Sequence, residues 1–195
     1  DKLKSSYKIL EINNNREFVY ENTYYDTDDF MFYHQHHNEK RDRFKVRFRK
    51  YNATNNLFFE IKKKNNQDRT IKNRISVKKV KIDLEDSEMN LITKTIGKSM
   101  KKLSQKLIIE FNRITLANNS LTERLTIDIN LSVKNGTDVK LFDQLVITEI
   151  KQNKYNPKSD FIQILRESLI ITGNKSTKVN TILINAVVTE VSKMT

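Results

Sequence analysis

The stretch from Arg43 to Arg49 reads Arg-Phe-Lys-Val-Arg-Phe-Arg, with cationic and apolar side chains in strict alternation. Because successive side chains of a β-strand point to opposite faces, this stretch predicts a strand with one cationic and one apolar face. Neighbouring cations on that face lie about 6.6 Å apart, which is twice the rise of a strand residue. Like charges in such a row repel one another unless an anion lies along them. The pattern therefore indicates an elongated polyanion as the ligand.

The composition favours the same kind of partner. The chain has 195 residues, and its 36 Lys and Arg against 24 Asp and Glu give a net charge of +12. Such a charge favours nucleic acid, an anionic membrane or a phosphate polymer. The absence of cysteine excludes disulfides and cysteine metal sites, and three glycines leave no glycine-rich phosphate loop. No apolar run approaches the ~20 residues of a membrane span, so we expect a cytoplasmic protein without a transmembrane segment.

The same alternation recurs along most of the chain. It predicts strands at 18–27, 44–51, 57–64, 71–84, 106–116, 123–132, 143–152 and 178–189. Helical spacing of apolar residues predicts helices at 88–104 and 158–172. No repeat or linker divides the sequence, so we expect one domain over residues 1–195, of class α+β, with about eight antiparallel strands and a few flanking helices. A sheet of that many strands tends to curl or close into a barrel.

Charged side chains on one side of these strands allow two arrangements. The first is a half-exposed sheet with a solvated charged face, and the second is a barrel whose charged face lines the interior. Isolated carboxylates at Glu60 and Glu149, each two residues before a lysine, favour the interior. We interpret Glu60 as a structural partner of the lysines and Asp128 as a carboxylate that orients an arginine.

Histidines and tyrosines near the first long strand have plain structural explanations. We expect the histidines in a solvated polar loop rather than at a transition metal, although three in four residues could bind one. We expect the tyrosines in the core or the barrel wall. The residues concerned are His34, His36, His37, Tyr24, Tyr25 and Tyr33.

Eight short motifs follow one another in a characteristic order. They are Tyr24 to Thr27, Tyr33 with His36 to Asn38, Arg43 to Tyr51, Phe59 to Lys64, Arg69 to Arg74, Phe111 to Thr115, Glu123 to Asp128, and Thr148 to Gln152. In this order they resemble the VTC (vacuolar transporter chaperone) domain of polyphosphate polymerases, a branch of the triphosphate tunnel metalloenzymes. The resemblance runs from about Tyr7 to the last predicted strand.

The resemblance implies an antiparallel β-barrel, the triphosphate tunnel, lined by basic side chains and holding Mn²⁺ or Mg²⁺. It implies transfer of the γ-phosphoryl group of ATP onto a growing polyphosphate chain. The ligands implied are ATP and inorganic polyphosphate or tripolyphosphate, and no nucleic acid as a specific ligand. Against nucleic acid, the sequence also shows no aromatic-rich recognition strand of the RNA-binding type.

The resemblance also implies roles for individual residues. Three arginines are expected to be catalytic by binding the transferring and neighbouring phosphates: Arg47, Arg49 and Arg113. Further phosphate-binding positions fall on Lys62, Lys72, Arg124 and Lys178, and we add Lys45, Arg74 and Lys151 from the same strands. Glu149 is expected to ligate the metal.

Two departures from the family pattern bear on the outcome. The chain begins after the family's usual first strand, so we expect a domain without it, either because the sequence is a fragment or because the protein lacks that strand. In addition, Val179 stands where the family has a tyrosine. Two other functions remain as alternatives for a protein that binds the same phosphate ligands. One is hydrolysis, as a tripolyphosphatase or nucleoside triphosphatase, and the other is polyphosphate binding without catalysis.

Overall fold

The computed structural model describes residues 3–65, 70–100, 102–167 and 181–187, and the expected antiparallel α+β fold is confirmed. The described residues form ten strands and three helices. In chain order these are β1 Tyr7–Ile9, β2 Glu17–Asp26, α1 Met31–His37, β3 Arg43–Tyr51, β4 Asn56–Lys64, β5 Thr70–Ser76, α2 Asp86–Ile96, β6 Ser104–Asn118, β7 Glu123–Asn135, β8 Asp138–Phe142, β9 Leu145–Gln152, α3 Asp160–Glu167 and β10 Thr181–Val187. The short strands β1 and β8 are the two that the sequence did not predict.

The chain divides into two compact units. The first, here called the β3–β4 unit, comprises residues 19–110 and 133–140. The second, the β7–β9 unit, comprises residues 1–18, 111–132 and 141–195.

In the β3–β4 unit, strands β2 to β5 pair in sequence order and antiparallel. The apolar face expected from the sequence is confirmed, because Phe44, Val46 and Phe48 are all buried, and Phe59 of the neighbouring strand is 0% exposed. Ile92 of α2 belongs to the same core. Full burial of one such side chain stabilises the fold by about 1.5–3 kcal/mol.

In the β7–β9 unit, β9 pairs antiparallel with β7 on one side and β10 on the other. The core joins Leu125 of β7 and Ile150 of β9 with Phe161 and Leu165 of α3. Phe161 and Leu165 lie four residues apart and therefore on one face of the helix. The predicted helix at 158–172 is confirmed for Asp160–Glu167, and its last five residues lie outside the described residues.

Helix α1 occupies the segment that was predicted to be a polar loop, so that prediction was wrong. The reason lies in the side chains at the end of β2. The carboxylate of Asp26 accepts hydrogen bonds from the backbone N–H groups of Thr27, Phe32 and Tyr33. The hydroxyl of Thr27 accepts one from Met31 N–H. These bonds satisfy N–H groups that have no partner within the first turn of a helix, and so they start α1 directly after the strand.

Two predicted boundaries were also wrong. The strand predicted at 71–84 ends at Ser76, because the chain turns so that Lys81 Nζ binds Glu85 and Glu88 at the start of α2. The helix predicted to reach residue 104 ends at Ile96. Gly97 follows it with φ of 83°, a left-handed conformation that glycine adopts readily and that ends a helix.

Candidate phosphate-binding site

Three adjacent strands of the β3–β4 unit share one cationic face. Residues directly opposite each other on neighbouring strands share a face, and Lys45 lies opposite Lys62, which lies opposite Lys72. Glu60 lies in the next such row, between an arginine of β3 and an arginine of β5. Within these three described strands the face carries this one carboxylate and eight cations: Arg43, Lys45, Arg47, Arg49, Lys62, Lys64, Lys72 and Arg74.

The centre of this face is an ionic network around Glu60. The Glu60 side chain is 0% exposed, and its Oε2 accepts hydrogen bonds from Arg47 Nε at 3.1 Å and Nη2 at 2.9 Å. Its Oε1 lies 2.6 Å from Lys72 Nζ. Burial alone would raise the pKa of Glu60, but Lys72 and Arg47 outweigh it, so the pKa is lowered and the carboxylate stays charged. The interpretation of Glu60 as a structural partner of the lysines is confirmed for Lys72, and Arg47 is a partner in addition.

Burial at this centre decides between the two arrangements considered for the charged face. Arg47 is 5% exposed and Glu60 is 0% exposed, although both lie on the face opposite the hydrophobic core. A solvated surface would leave both in water. The solvated arrangement is therefore wrong for this pair, while Lys45 at one end of the face is exposed.

Arg47 is fixed by the protein through all three of its guanidinium nitrogens. Besides the two bonds to Glu60, its Nη1 donates to the hydroxyl of Tyr24 at 3.1 Å. Burial favours the neutral phenol of Tyr24, but the positive charge of Arg47 and its hydrogen bond outweigh burial and lower the pKa. Arg47 is thus held in one orientation before any ligand arrives.

Arg49 is held differently. Its Nε donates to Asn22 Oδ1 at 2.7 Å, and Asn22, which is 1% exposed, donates in turn to the carbonyl of Ile109 at 3.4 Å. Burial and the neighbouring charge of Arg47 lower the pKa of Arg49. Among the described residues the guanidinium is hydrogen-bonded through Nε alone, so both terminal nitrogens can donate to a phosphate. A guanidinium fork suits phosphate because it donates two parallel hydrogen bonds.

The remaining predicted residues of this unit lie on the same face. Lys62 and Lys72 follow Lys45 across the sheet. Arg74 lies at the edge of the sheet described for this unit, with its guanidinium carbon 4.4 Å from the ring centre of Phe58. The structure therefore brings six of the predicted residues together: Lys45, Arg47, Arg49, Lys62, Lys72 and Arg74.

Four other predicted residues belong to the β7–β9 unit. Arg113 binds Asp128 through a pair of short bonds, Nε to Oδ1 at 2.6 Å and Nη2 to Oδ2 at 2.7 Å. The interpretation of Asp128 as an arginine-orienting carboxylate is confirmed. Arg124 lies opposite Lys151 on the neighbouring strand, and both are exposed.

Glu149 is the residue expected to bind metal. Its Oε1 lies 3.4 Å from Lys151 Nζ, and its side chain is 25% exposed. Within the described ranges, no three His, Cys, Asp or Glu side chains gather as a ready metal site. The histidines of α1 accordingly form no such cluster, and His36 instead lies with Nε2 3.1 Å from the carbonyl of Phe44. Lys178 lies outside the described residues.

Sequence reasoning missed the two uncharged partners of the arginines. Tyr24 was assigned to the core or wall, and Asn22 was given no role. The feature that identifies them is the pairing register between β2 and β3, which places Tyr24 opposite Arg47 and Asn22 opposite Arg49. Alternation within one strand carries no information on the register between two strands, so this pairing could not be read from either strand alone.

Comparison with known proteins identifies the family. A family model, the VTC domain, matches residues 1–193. The chain belongs to the VTC domain family. No curated protein matches this VTC domain. No helix of the described residues has the length and apolar character needed to cross a membrane.

Two solved structures resemble this VTC domain. A candidate adenylate cyclase from Bacillus halodurans has a TM-score of 0.52 and 14% sequence identity, over 84% of this chain and 83% of that one. The PH1819 protein from Pyrococcus horikoshii OT3 has a TM-score of 0.41 and 14% identity, over 86% of this chain and 77% of that one. At such identity the first likeness concerns the fold alone.

Proposed function

We propose that this VTC domain is a metal-dependent phosphotransferase that transfers the γ-phosphoryl group of ATP onto a growing polyphosphate chain. The observation that carries the proposal is the face formed by β3, β4 and β5, where eight cations accompany one carboxylate. That carboxylate is already bound by Arg47 and Lys72. The face therefore presents an excess of positive charge along a line, which suits a linear phosphate chain.

Phosphoryl transfer needs charge neutralisation and alignment more than covalent help from the protein. In the proposed reaction, a terminal oxygen of polyphosphate attacks the γ-phosphorus of ATP, the bond to the bridging oxygen breaks, and ADP leaves. Arg49 would bind the transferring phosphoryl group through its two terminal nitrogens. Arg47, fixed on Glu60, would bind beside it, and the row Lys45, Lys62 and Lys72 would hold the neighbouring phosphates.

We also propose ligand-binding roles for residues within the β7–β9 unit. Arg113, oriented by Asp128, would bind phosphate together with Arg124, Lys151 and Lys178. Glu149 fits a site for Mn²⁺ or Mg²⁺ because Mg²⁺ is commonly held by one or two carboxylates, with water and substrate phosphates completing its shell. The bound ion would neutralise charge on the phosphate oxygens.

The proposal is tested by incubating the purified protein with ATP and Mn²⁺ and resolving the products on a gel. Long polyphosphate is expected from the wild type, and it should be absent with Arg49→Ala and with Glu149→Gln. Arg16→Ala is the matched control, because Arg16 is an exposed arginine of the other unit that pairs with Glu11.

Other outcomes would replace the proposal. Release of free phosphate from tripolyphosphate, without polymer, would identify a hydrolase on the same face. Tight binding of tripolyphosphate without turnover would identify a polyphosphate-binding module. Wild-type activity in Arg49→Ala would place the reaction away from this face.

A further inference from the structure

The β3–β4 unit contains a cavity of about 390 Å³ with a largely aromatic wall. Six rings contribute to it: Tyr24, Tyr25, Phe30, Phe32, Tyr33 and Phe44. The volume falls in the range of small-molecule sites, which are mostly apolar with a few placed polar groups. Aromatic walls favour a flat ligand that can pack against ring faces and edges. Phosphate chemistry makes no use of such a wall, so the cavity calls for a different part of a ligand.

Polar groups of the cavity are mainly cationic or neutral. Lys45 and Lys106 line it, and Lys106 Nζ lies 5.1 Å from the ring centre of Phe30 and 3.0 Å from Asp28 Oδ1. Asp26 also lines the cavity, but both of its oxygens accept backbone hydrogen bonds at the start of α1. The carboxylate is thus engaged locally, and the cavity suits a ligand that is neutral at one end and anionic at the other.

His36 also lines the cavity. Its Nε2 lies 3.1 Å from the carbonyl of Phe44, so Nε2 carries the proton and donates. Burial, followed by the nearby charges of Lys45 and Arg43, lowers the pKa of His36 to about 4. At neutral pH the ring is therefore uncharged and adds no positive charge to the cavity.

The cavity adjoins the cationic face through two shared residues. Lys45 lines the cavity and also begins the row that continues through Lys62 and Lys72. Tyr24 lines the cavity, while its hydroxyl accepts a hydrogen bond from Arg47. A ligand with its flat end in the cavity would therefore have its anionic end beside Arg47 and Lys45.

We propose that this cavity binds the purine base of the nucleoside triphosphate donor, while the triphosphate lies on the cationic face. The inference rests on the proposed function and extends it, since it makes the base a recognised part of the substrate. The site would then distinguish ATP from tripolyphosphate, which offers the same phosphates without the base.

Calorimetric titration of the full chain with ATP and with tripolyphosphate tests the proposal. Tyr33→Ala is the informative variant, because the Tyr33 side chain lines the cavity yet is 57% exposed, so its removal should leave the fold intact. We expect ATP binding to weaken roughly tenfold, the scale of one base–aromatic stack, while tripolyphosphate binding is unchanged. Tyr155→Ala, which removes another exposed tyrosine from the β7–β9 unit, should change neither affinity.

The outcomes separate this inference from the proposed function. If the wild type binds both ligands and Tyr33→Ala weakens both or neither, the base site is wrong and the phosphate face stands. If neither ligand binds, the proposed function fails, and saturation-transfer NMR with adenosine then decides on the cavity. Signals at the base protons that vanish in Tyr33→Ala would sustain the base site, and their absence from the wild type would overturn it.

Discussion

The guanidinium of Arg47 is locked onto the buried carboxylate of Glu60, with Nε and Nη2 both bonded to Oε2 at 3.1 and 2.9 Å. The pair lies opposite in register on two neighbouring strands. Because both side chains are buried, neither can lose its partner without a cost. The pair therefore serves the stability of the sheet as well as the shape of the candidate site.

Glu60→Gln should destabilise the VTC domain by about 3 kcal/mol, since it leaves Arg47 buried without its counter-ion. Urea unfolding followed by circular dichroism measures the loss. Glu11→Gln is the control, because Glu11 pairs with Arg16 on the exposed surface, and it should cost less than about 1 kcal/mol. A loss in Glu60→Gln no larger than that of the control would contradict the role of the pair.

Arg49→Ala and Arg47→Ala should differ in their effect on stability. Arg49→Ala should weaken tripolyphosphate binding about ten- to a hundredfold, the range expected for lost charge-assisted hydrogen bonds, with a smaller drop in the unfolding midpoint than Arg47→Ala, because the partner it leaves behind, Asn22, is neutral. Arg47→Ala should weaken binding and also lower the midpoint, because Glu60 then stays buried without this partner. Calorimetry and thermal unfolding of both variants check the difference, and equal midpoints would count against it.

His36 should make the unfolding free energy depend on pH. Its pKa is lowered from the ordinary 6.5 to about 4, chiefly by burial and then by Lys45 and Arg43, so the unfolded chain binds a proton more readily between these values. Stability should therefore rise as the pH increases from 4 to 6.5, and fall in the reverse direction. Urea titrations at pH 5 and pH 7 measure the difference.

The matched variants for this pH dependence lie on one helix. His36→Gln should reduce the difference in unfolding free energy between pH 5 and pH 7. His34→Gln, which removes a histidine from the same helix, should retain it. The same dependence in all three proteins would rule His36 out as its source.

Glu149→Gln should abolish turnover while leaving tripolyphosphate affinity within about threefold of the wild type, because the residues proposed to bind the phosphates are arginines and lysines. Addition of a chelator to the wild type should have the same two effects. Mn²⁺ binding in the presence of tripolyphosphate, followed by electron paramagnetic resonance, should weaken in the variant. Unchanged Mn²⁺ binding would show that Glu149 is not a ligand of the metal.

The sequence predicted the strands best where one face is buried. Phe44, Val46 and Phe48 lie on the buried face of β3 and alternate with cations on the other face. Because burial requires apolar residues at every second position, the strand can be recognised from the sequence. The sequence did not predict α1, because its start depends on side-chain bonds from Asp26 and Thr27 to the backbone, and these residue types favour turns as well as helix starts.

For the candidate site, the sequence located the charged residues and the partner carboxylates Glu60 and Asp128, but not the uncharged partners of the arginines. The bond between Arg47 and Tyr24 joins residues 23 positions apart, and that between Arg49 and Asn22 joins residues 27 apart. Such pairs are fixed by the register between strands and by the packing around them. The aromatic cavity was missed for the same reason, since its rings come from several elements of the fold.

The lysines at positions 45, 62 and 72 occupy successive strands in a single cross-sheet row. Like charges directly opposite one another oppose strand pairing, a cost that the contact of Lys72 with Glu60 offsets in part and that a bound anion would offset further. Any anion that binds the folded chain but not the unfolded one adds stability by mass action, about 2.7 kcal/mol at a hundred times its dissociation constant. The melting temperature of this domain should therefore report the concentration of phosphate polymer around it, and the response should fade as added salt screens the row.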